Sequence, residues 1–147
     1  MMQQGRRAVA EPMLRGVLEG NRATLGSLHP NTLICMNNLA TLLRARGGLR
    51  EAEPLFCEVL LSQRATLGSQ HPHTFISLYN LGMLLEEHGR LREAEGLFSE
   101  ALTGSLRVLG RTHVDTQDFC AALVRVLAAQ GKMRDAREVQ AQYGVRK

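Results

Sequence analysis

A twelve-residue segment that recurs at a fixed interval constrains the fold of this chain more than any single residue does. It reads HPNTLICMNNLA from His29, HPHTFISLYNLG from His71 and HVDTQDFCAALV from His113, which are 42 residues apart. The segment 53–68 likewise matches the segment 11–26. A period of this size indicates stacked structural repeats.

The repeat divides the chain into one half unit and three further units. The half unit covers residues 8–28, and the repeats cover 29–70, 71–112 and 113–147 of a single domain, 1–147. Apolar residues make up 44% of the chain and aromatic residues 4%. This composition, with no strand-like alternation, favours helices that pack through small residues.

Each unit is predicted to form two helices joined by a short turn. The first helix is expected at about 31–46, 73–88 and 115–130, and the second at about 49–67, 91–109 and 133–143. Thr32, Thr74 and Thr116 stand where an N-cap hydroxyl is expected. The glycine after each first helix suits a left-handed C-cap; these are Gly47, Gly89 and Gly131.

A helical hairpin of this kind cannot bury its apolar face alone, so neighbouring units must stack. Small residues are expected where the two helices approach closely, and leucines and phenylalanines around them. The small residues are Ala40, Gly82, Ala52, Ala94 and Ala136, and the larger ones are Leu39, Leu43, Leu81, Leu85, Leu123, Leu127, Phe56 and Phe98. The predicted fold class is therefore all-α, a right-handed α-solenoid.

Composition also argues against several classes of partner. The net charge of +4 is spread along the chain without a basic tail, so no nucleic-acid partner is expected. No apolar run is long enough to span a membrane, and the first seven residues lack the core of a signal peptide. Three irregularly spaced cysteines indicate a reducing compartment, so we expect a cytoplasmic protein.

The residues that invite a metal or catalytic interpretation are explained better by the repeat. Histidines at 29, 71 and 113 recur one unit apart on turns, and His71 and His73 have no cysteine partner in register. Cys35 and Cys57 occupy small-residue positions, with no general base placed beside them in the sequence. We therefore expect no catalytic residues, no metal and no cofactor, and the chain is not expected to be an enzyme.

The pattern of Leu39, Ala40, Leu43, Gly47, Ala52 and Phe56 resembles the tetratricopeptide repeat. The usual period of that repeat is about 34 residues. The 42-residue variant, with its NNLA, EAEPL and LGxxHP segments, is similar to the repeats of kinesin light chains. The resemblance covers residues from about 9 to 143. It implies a concave surface lined by the first helix of each unit.

That resemblance implies a groove for an extended peptide. The candidate residues on the first helices are Asn37, Asn38, Thr41, Arg44, Tyr79, Asn80, Met83 and Arg125. An amide such as that of Asn38 or Asn80 could hold a peptide N–H and C=O together, or it could bond only its own stack or solvent. Arg44 and Arg125 could meet acidic side chains, whereas Glu86 and Glu87 would oppose them, so the groove is mixed in sign.

The leading hypothesis is a non-catalytic scaffold that binds a protein or peptide partner in this groove. The alternative is an accessory or self-assembly segment of a larger enzyme or signalling protein. Because the chain opens with half a repeat, the apolar side of its first helix lacks a partner, which predicts either a piece of a larger protein or self-association. The third repeat departs from the pattern, with Val114 for proline and Gln140 for phenylalanine, as a terminal repeat with a more polar face would.

Overall fold

The computed structural model describes the backbone of residues 2–145 and the side chains of residues 10–145. The described residues form seven α-helices and no strand: α1 Met2–Thr24, α2 Pro30–Ala45, α3 Leu49–Thr66, α4 Pro72–Glu87, α5 Leu91–Val108, α6 Val114–Ala129 and α7 Met133–Tyr143. The predicted helices and their order are confirmed, with bounds within one residue for α2 to α7. The first helix begins at Met2, before the half unit drawn at residue 8.

The chain divides into two compact units, Met1–Thr66 and Leu67–Lys147. In the first unit α1 packs against α2, and α2 against α3. In the second, α4 packs against α5, α5 against α6 and α6 against α7, and α4 also contacts α6. Consecutive helices are joined by short turns, so each unit is built from antiparallel helical hairpins. The interpretation of residues 1–147 as a single domain stays a prediction.

The first helix of each hairpin is capped by histidine rather than by the predicted threonine. The Nδ1 atoms of His29, His71 and His113 accept hydrogen bonds from the backbone N–H two residues later, at 3.1, 3.0 and 3.0 Å. Proline at the first helical position of α2 and α4 favours an extended conformation of the preceding histidine. His113 adopts the same conformation before Val114, so the cap does not require the proline.

The threonines lie one turn further on and have a different role. Thr32 Oγ1 donates to the carbonyl of Gly26 at 2.7 Å, and Thr74 Oγ1 to that of Gly68 at 2.8 Å. Both hydroxyls therefore tie the helix start to the turn before it, inside the protein. The N-cap prediction for Thr32, Thr74 and Thr116 was wrong because the histidine three residues earlier already occupies that position.

Each first helix ends as the sequence predicts, at a glycine with positive φ. Gly47, Gly89 and Gly131 have φ of 88°, 77° and 81°. The next residue donates back into the last turn, as in the bond from Gly48 N–H to the Leu43 carbonyl at 2.7 Å. This is the Schellman arrangement, which satisfies a terminal carbonyl and turns the chain sharply into the second helix.

The predicted core is confirmed throughout the two units. The small residues and the leucines named above are buried, as are Phe56 and Phe98. Phe98 lies against Gly82, where a Cβ atom would come within 2.6 Å of the ring. The close approach of α4 and α5 thus depends on glycine, which has no side chain, at position 82.

Candidate peptide-binding face

The second unit presents a continuous face formed by α4 and α6. Met83 follows Tyr79 by four residues and Asn80 by three, and Glu86 follows Met83 by three, so these four residues share one side of α4. All four side chains are half-buried, and Arg125 on α6 is beside them. We call this surface, defined by these five residues, the α4–α6 face. The structure thus brings four of the predicted residues together in this unit.

Tyr79 is the rigid part of this face. Its ring centroid lies 5.4 Å from that of Phe119 on α6 and 5.8 Å from that of Phe98 on α5, both tilted. Phe98 and Phe119 are fully buried, so the tyrosine ring rests on the core. Aromatic pairs at these separations attract each other beyond simple burial. Tyr79 therefore offers a fixed apolar edge beside Asn80.

Asn80 is half-buried and already takes part in an interaction within the chain. A side-chain amide has two N–H donors and an oxygen that accepts two hydrogen bonds, so it can take part in several hydrogen bonds at once. Its place between an aromatic edge and Met83 combines polar and apolar groups within one helical turn. Such a combination suits an extended segment that offers both backbone amides and side chains.

Arg125 forms a two-pronged ion pair with Glu86. Its Nε lies 2.6 Å from Glu86 Oε2 and its Nη2 lies 2.7 Å from Glu86 Oε1. The same Nη2 is 3.2 Å from the sulfur of Met83. Hydrogen bonding to Glu86 raises the pKa of Arg125 above its ordinary value, against the opposing effect of burial. The predicted ligand-binding arginine therefore already has a carboxylate partner.

The other four predicted residues lie on α2 in the first unit. Asn38 and Thr41 are exposed, and the Thr41 hydroxyl donates to the carbonyl of Asn37 at 2.8 Å. Asn37 and Arg44 are half-buried, and each interacts with another group in the chain. The α2 surface is thus more polar than the α4–α6 face and lacks an aromatic residue at the position of Tyr79.

Sequence reasoning missed two polar contacts. The first is the Glu86–Arg125 pair, which the repeat itself could have indicated. Arg125 is the register equivalent of Met83, and Glu86 lies three residues after Met83 on α4. The second is the cap made by each histidine, which was interpreted as part of a turn. Both follow from placing the repeats side by side and asking which side chains then become neighbours.

The described residues contain no group of three or more histidine, cysteine, aspartate or glutamate side chains that could hold a metal ion. Within the described residues no disulfide involves Cys35, Cys57 or Cys120, and burial raises the pKa of the Cys35 and Cys120 thiols. A raised pKa disfavours the thiolate that nucleophilic chemistry needs. A surface hollow of about 310 Å³ lies at the α4–α5 turn and Gln130, and none of the predicted residues lines it.

The first helix carries exposed apolar side chains. Val17 is 52% exposed, whereas its register equivalents Val59 and Ala101 are 2% and 0% exposed. Met13 is 65% exposed on the same helix. The helices that hold Val59 and Ala101, α3 and α5, each pack against the preceding helix of their hairpin. Within the described residues, no helix combines the length and apolar character needed to cross a bilayer.

Comparison with known proteins identifies the repeat. The tetratricopeptide repeat profile matches residues 1–60 and 51–107, and no curated protein sequence matches the chain. Two crystal structures of the nearly identical TPR-like repeats of a protein assigned as a kinesin light chain, from Podosopora anserina, are 28% identical to it, one of them a single-substitution variant. Each has a TM-score of 0.88 over 96% of this chain.

A third structure, BtubC (BKLC) from P. vanneervenii, has a TM-score of 0.80 over 97% of this chain at 20% identity, which shows likeness of fold alone. The chain spans 66% and 67% of the two Podosopora chains and 60% of the P. vanneervenii chain. The predicted all-α fold class is thereby confirmed. Tetratricopeptide repeats serve in general as scaffolds for protein–protein interaction. The chain belongs to the tetratricopeptide-repeat family, with repeats similar to those of kinesin light chains.

Proposed function

We propose that this protein is a non-catalytic scaffold that binds an extended segment of a protein partner on the first helices of its repeats. The α4–α6 face of the second unit is the principal site; on α2 of the first unit, Asn38 and Thr41 are exposed polar candidates. The observation that carries the proposal is that half-buried Asn80 lies on α4 with Tyr79, whose ring packs on Phe119, and with half-buried Met83. No nucleic acid or membrane is part of this proposal.

The roles of the residues follow from their chemistry. The Asn80 amide donates to a peptide carbonyl and accepts from a peptide N–H, which reads the backbone and not its sequence. Tyr79 and Met83 supply an apolar shelf for one side chain of the bound segment, and a polarizable thioether adapts to different shapes. Recognition of this kind tolerates a range of partner sequences and depends on an extended backbone.

The experiment is a binding titration by fluorescence polarisation with labelled ten-residue peptides that carry apolar side chains at alternate positions. Asn80→Ala should weaken binding about tenfold, since one or two hydrogen bonds of about 0.5–1.5 kcal/mol each are lost. Asn31→Ala is the matched control, because Asn31 is exposed at the start of α2 and away from the proposed contacts. Equal affinities for the wild type and Asn80→Ala would show that the Asn80 amide does not bind the peptide backbone.

A second candidate, self-association through α1, is favoured by the exposure of Met13 and Val17. Apolar side chains grouped on one helix commonly mark an interface. Light scattering of the wild type and of Val17→Asp tests it. We expect a concentration-dependent rise in mass for the wild type that the aspartate abolishes; a monomer at all concentrations would rule this candidate out.

A further inference from the structure

The fork between Arg125 and Glu86 uses most of the hydrogen-bonding capacity of the guanidinium. The Nε–H donates to one carboxylate oxygen, and Nη2 donates to the other oxygen and to the Met83 sulfur, at 2.6, 2.7 and 3.2 Å. A carboxylate binds arginine best through two parallel N–H bonds. A second fork could form only end-on, from Nη1 together with the Nη2 N–H that faces the Met83 sulfur. An acidic ligand would therefore have to displace either that sulfur contact or Glu86 to gain two parallel bonds.

Displacement of Glu86 is costly because of where the pair lies. Glu86 is 19% exposed and Arg125 47% exposed, so the carboxylate is the better shielded member. Breaking such a pair would leave a partly buried carboxylate without its arginine, which is more unfavourable than the pair itself is favourable. The pair therefore persists when a ligand arrives and presents no net charge to it.

A further carboxylate on α6 does not favour an acidic ligand either. Asp118 is exposed about two helical turns before Arg125 on the same helix. Like charges at short range oppose each other, and this opposition is strongest where the surface excludes water. An anionic segment thus meets the carboxylate of Asp118 on α6 and an arginine that is already paired with Glu86.

We propose that Glu86 determines the charge selectivity of the α4–α6 face, so that this face binds uncharged extended segments and rejects acidic ones. The inference rests on the proposed function, since it concerns the partner of the same face. Arg125 acts here as the partner of Glu86 and not as a ligand-binding residue. Either residue, once released from the other, becomes available to a ligand of the opposite charge.

The test uses three labelled peptide sets with the same apolar residues at alternate positions. Aspartate and glutamate fill the remaining positions in the acidic set, serine and asparagine in the neutral set, and lysine and arginine in the basic set. Affinities are measured by fluorescence polarisation for the wild type, Glu86→Gln, Arg125→Gln and the double variant. Glu138→Gln is the matched control, because it makes the same change in net charge at an exposed site on α7.

We expect the wild type to bind the neutral set most tightly. Glu86→Gln should gain about tenfold in affinity for the acidic set, Arg125→Gln should gain similarly for the basic set, and the double variant should return to the neutral preference. Glu138→Gln should change none of these preferences. Circular dichroism of each variant confirms that the helices are intact, which a partly exposed ion pair permits.

Two results would overturn the inference. One is a wild type that binds the acidic set as tightly as the neutral set. The other is a pair of single variants that shift all three sets equally, or that shift them no more than Glu138→Gln does. If instead the wild type binds no set, or Asn80→Ala leaves the affinity unchanged, the proposed function fails first. Binding that requires Asn80 but ignores Glu86 contradicts only the charge selectivity.

Discussion

The hairpins α2–α3 and α4–α5 have the same helix lengths and the same histidine N-cap but close around different side chains. In the first, Leu33 and Ser62 are buried; in the second, the equivalent residues are Phe75 and Gly104. A Cβ atom on Gly104 would lie 2.7 Å from Cζ of the Phe75 ring. The larger ring on one helix is thus accommodated by the loss of a side chain on the other. The two hairpins thus keep the same helix bounds, while the side-chain volume inside each hairpin is divided differently between its two helices.

The same redistribution changes the surface. Asn37 and Thr41 on α2 are replaced on α4 by Tyr79 and Met83, and Tyr79 is set against the aromatic residues of α5 and α6. The first unit instead carries ion pairs between α1 and α3, such as Arg22–Glu58 at 2.9 Å. The two units therefore share a backbone arrangement but present different side chains on α2 and α4.

The largest expected effect comes from adding a side chain at Gly104, against the ring of Phe75. Gly104→Ser should destabilise the protein by about 1–3 kcal/mol, because the new side chain overlaps the fully packed ring of Phe75. Phe75→Leu combined with Gly104→Ser transplants the arrangement of the first hairpin. This double variant should cost clearly less than the sum of the two single variants, as contacting residues commonly couple. Urea denaturation of the four proteins measures the coupling.

Gly96→Ala is the matched control for that series. Gly96 is exposed in the same helix, and no atom lies within 4 Å of an added Cβ. Alanine there should stabilise the protein by about 0.4–1 kcal/mol through helix propensity and chain entropy. Strictly additive energies for Phe75→Leu and Gly104→Ser would show that the two positions do not compensate each other.

A smaller effect tests whether the two hairpins share the same caps. His29→Ala and His71→Ala should each cost about 1 kcal/mol, the usual loss when a side-chain cap is removed. The asparagine variants should retain most of the stability, because their side-chain oxygen can accept the same backbone N–H. His88→Ala, at an exposed C-cap, is the control. Thermal or urea unfolding that finds only one of the two caps important would break the equivalence of the hairpins.

The smallest effect concerns Glu95 in the second unit, which meets Lys132 at 3.0 Å and Gln130 at 2.9 Å. Burial opposes its ionisation, but the hydrogen bonds from Lys132 and Gln130 outweigh burial and hold the pKa of Glu95 below its usual value. A lowered folded-state pKa stabilises the protein above the ordinary glutamate pKa, and this stability is lost as pH falls through the folded value.

Glu95→Gln should therefore cost at most about 1 kcal/mol at neutral pH, after allowance for solvent screening, and nothing in acid. Urea midpoints recorded as the pH is lowered measure the difference between the variant and the wild type. Glu138→Gln serves again as the exposed control. A difference that stays constant with pH would mean that the charge of Glu95 does not contribute.

Much of this fold could be predicted from the sequence because its signals are local and repeated. Gly47 and its equivalents mark the helix ends, and Leu39 with Ala40 marks the buried side of α2. The His29 cap escaped prediction because threonine is the commoner N-cap and stood close by. The Glu86–Arg125 pair escaped prediction because it joins two repeats. Spacing in a sequence shows which residues share a face of one helix, but not directly which residues of two helices are neighbours.

The candidate site was predictable only as a set of positions. Helical spacing put Tyr79, Asn80 and Met83 on one face of α4, where all three are half-buried; that this face binds a partner stays a prediction. It could not foresee that Tyr79 packs on Phe98 and Phe119, since that depends on how closely α4, α5 and α6 approach. Nor could it foresee that Arg125 already has a carboxylate partner, which changes the chemistry expected of the face.

The most direct test of the account is a backbone amide NMR titration of the protein with the neutral peptide set. We predict that the shifts cluster on α4 and α6 around Asn80 and Arg125, include the side-chain amide of Asn80, and leave α5 and α7 unchanged. Shifts confined to α1, α5 or α7, with the Asn80 amide unmoved, would contradict the claim that the first helices bind the partner.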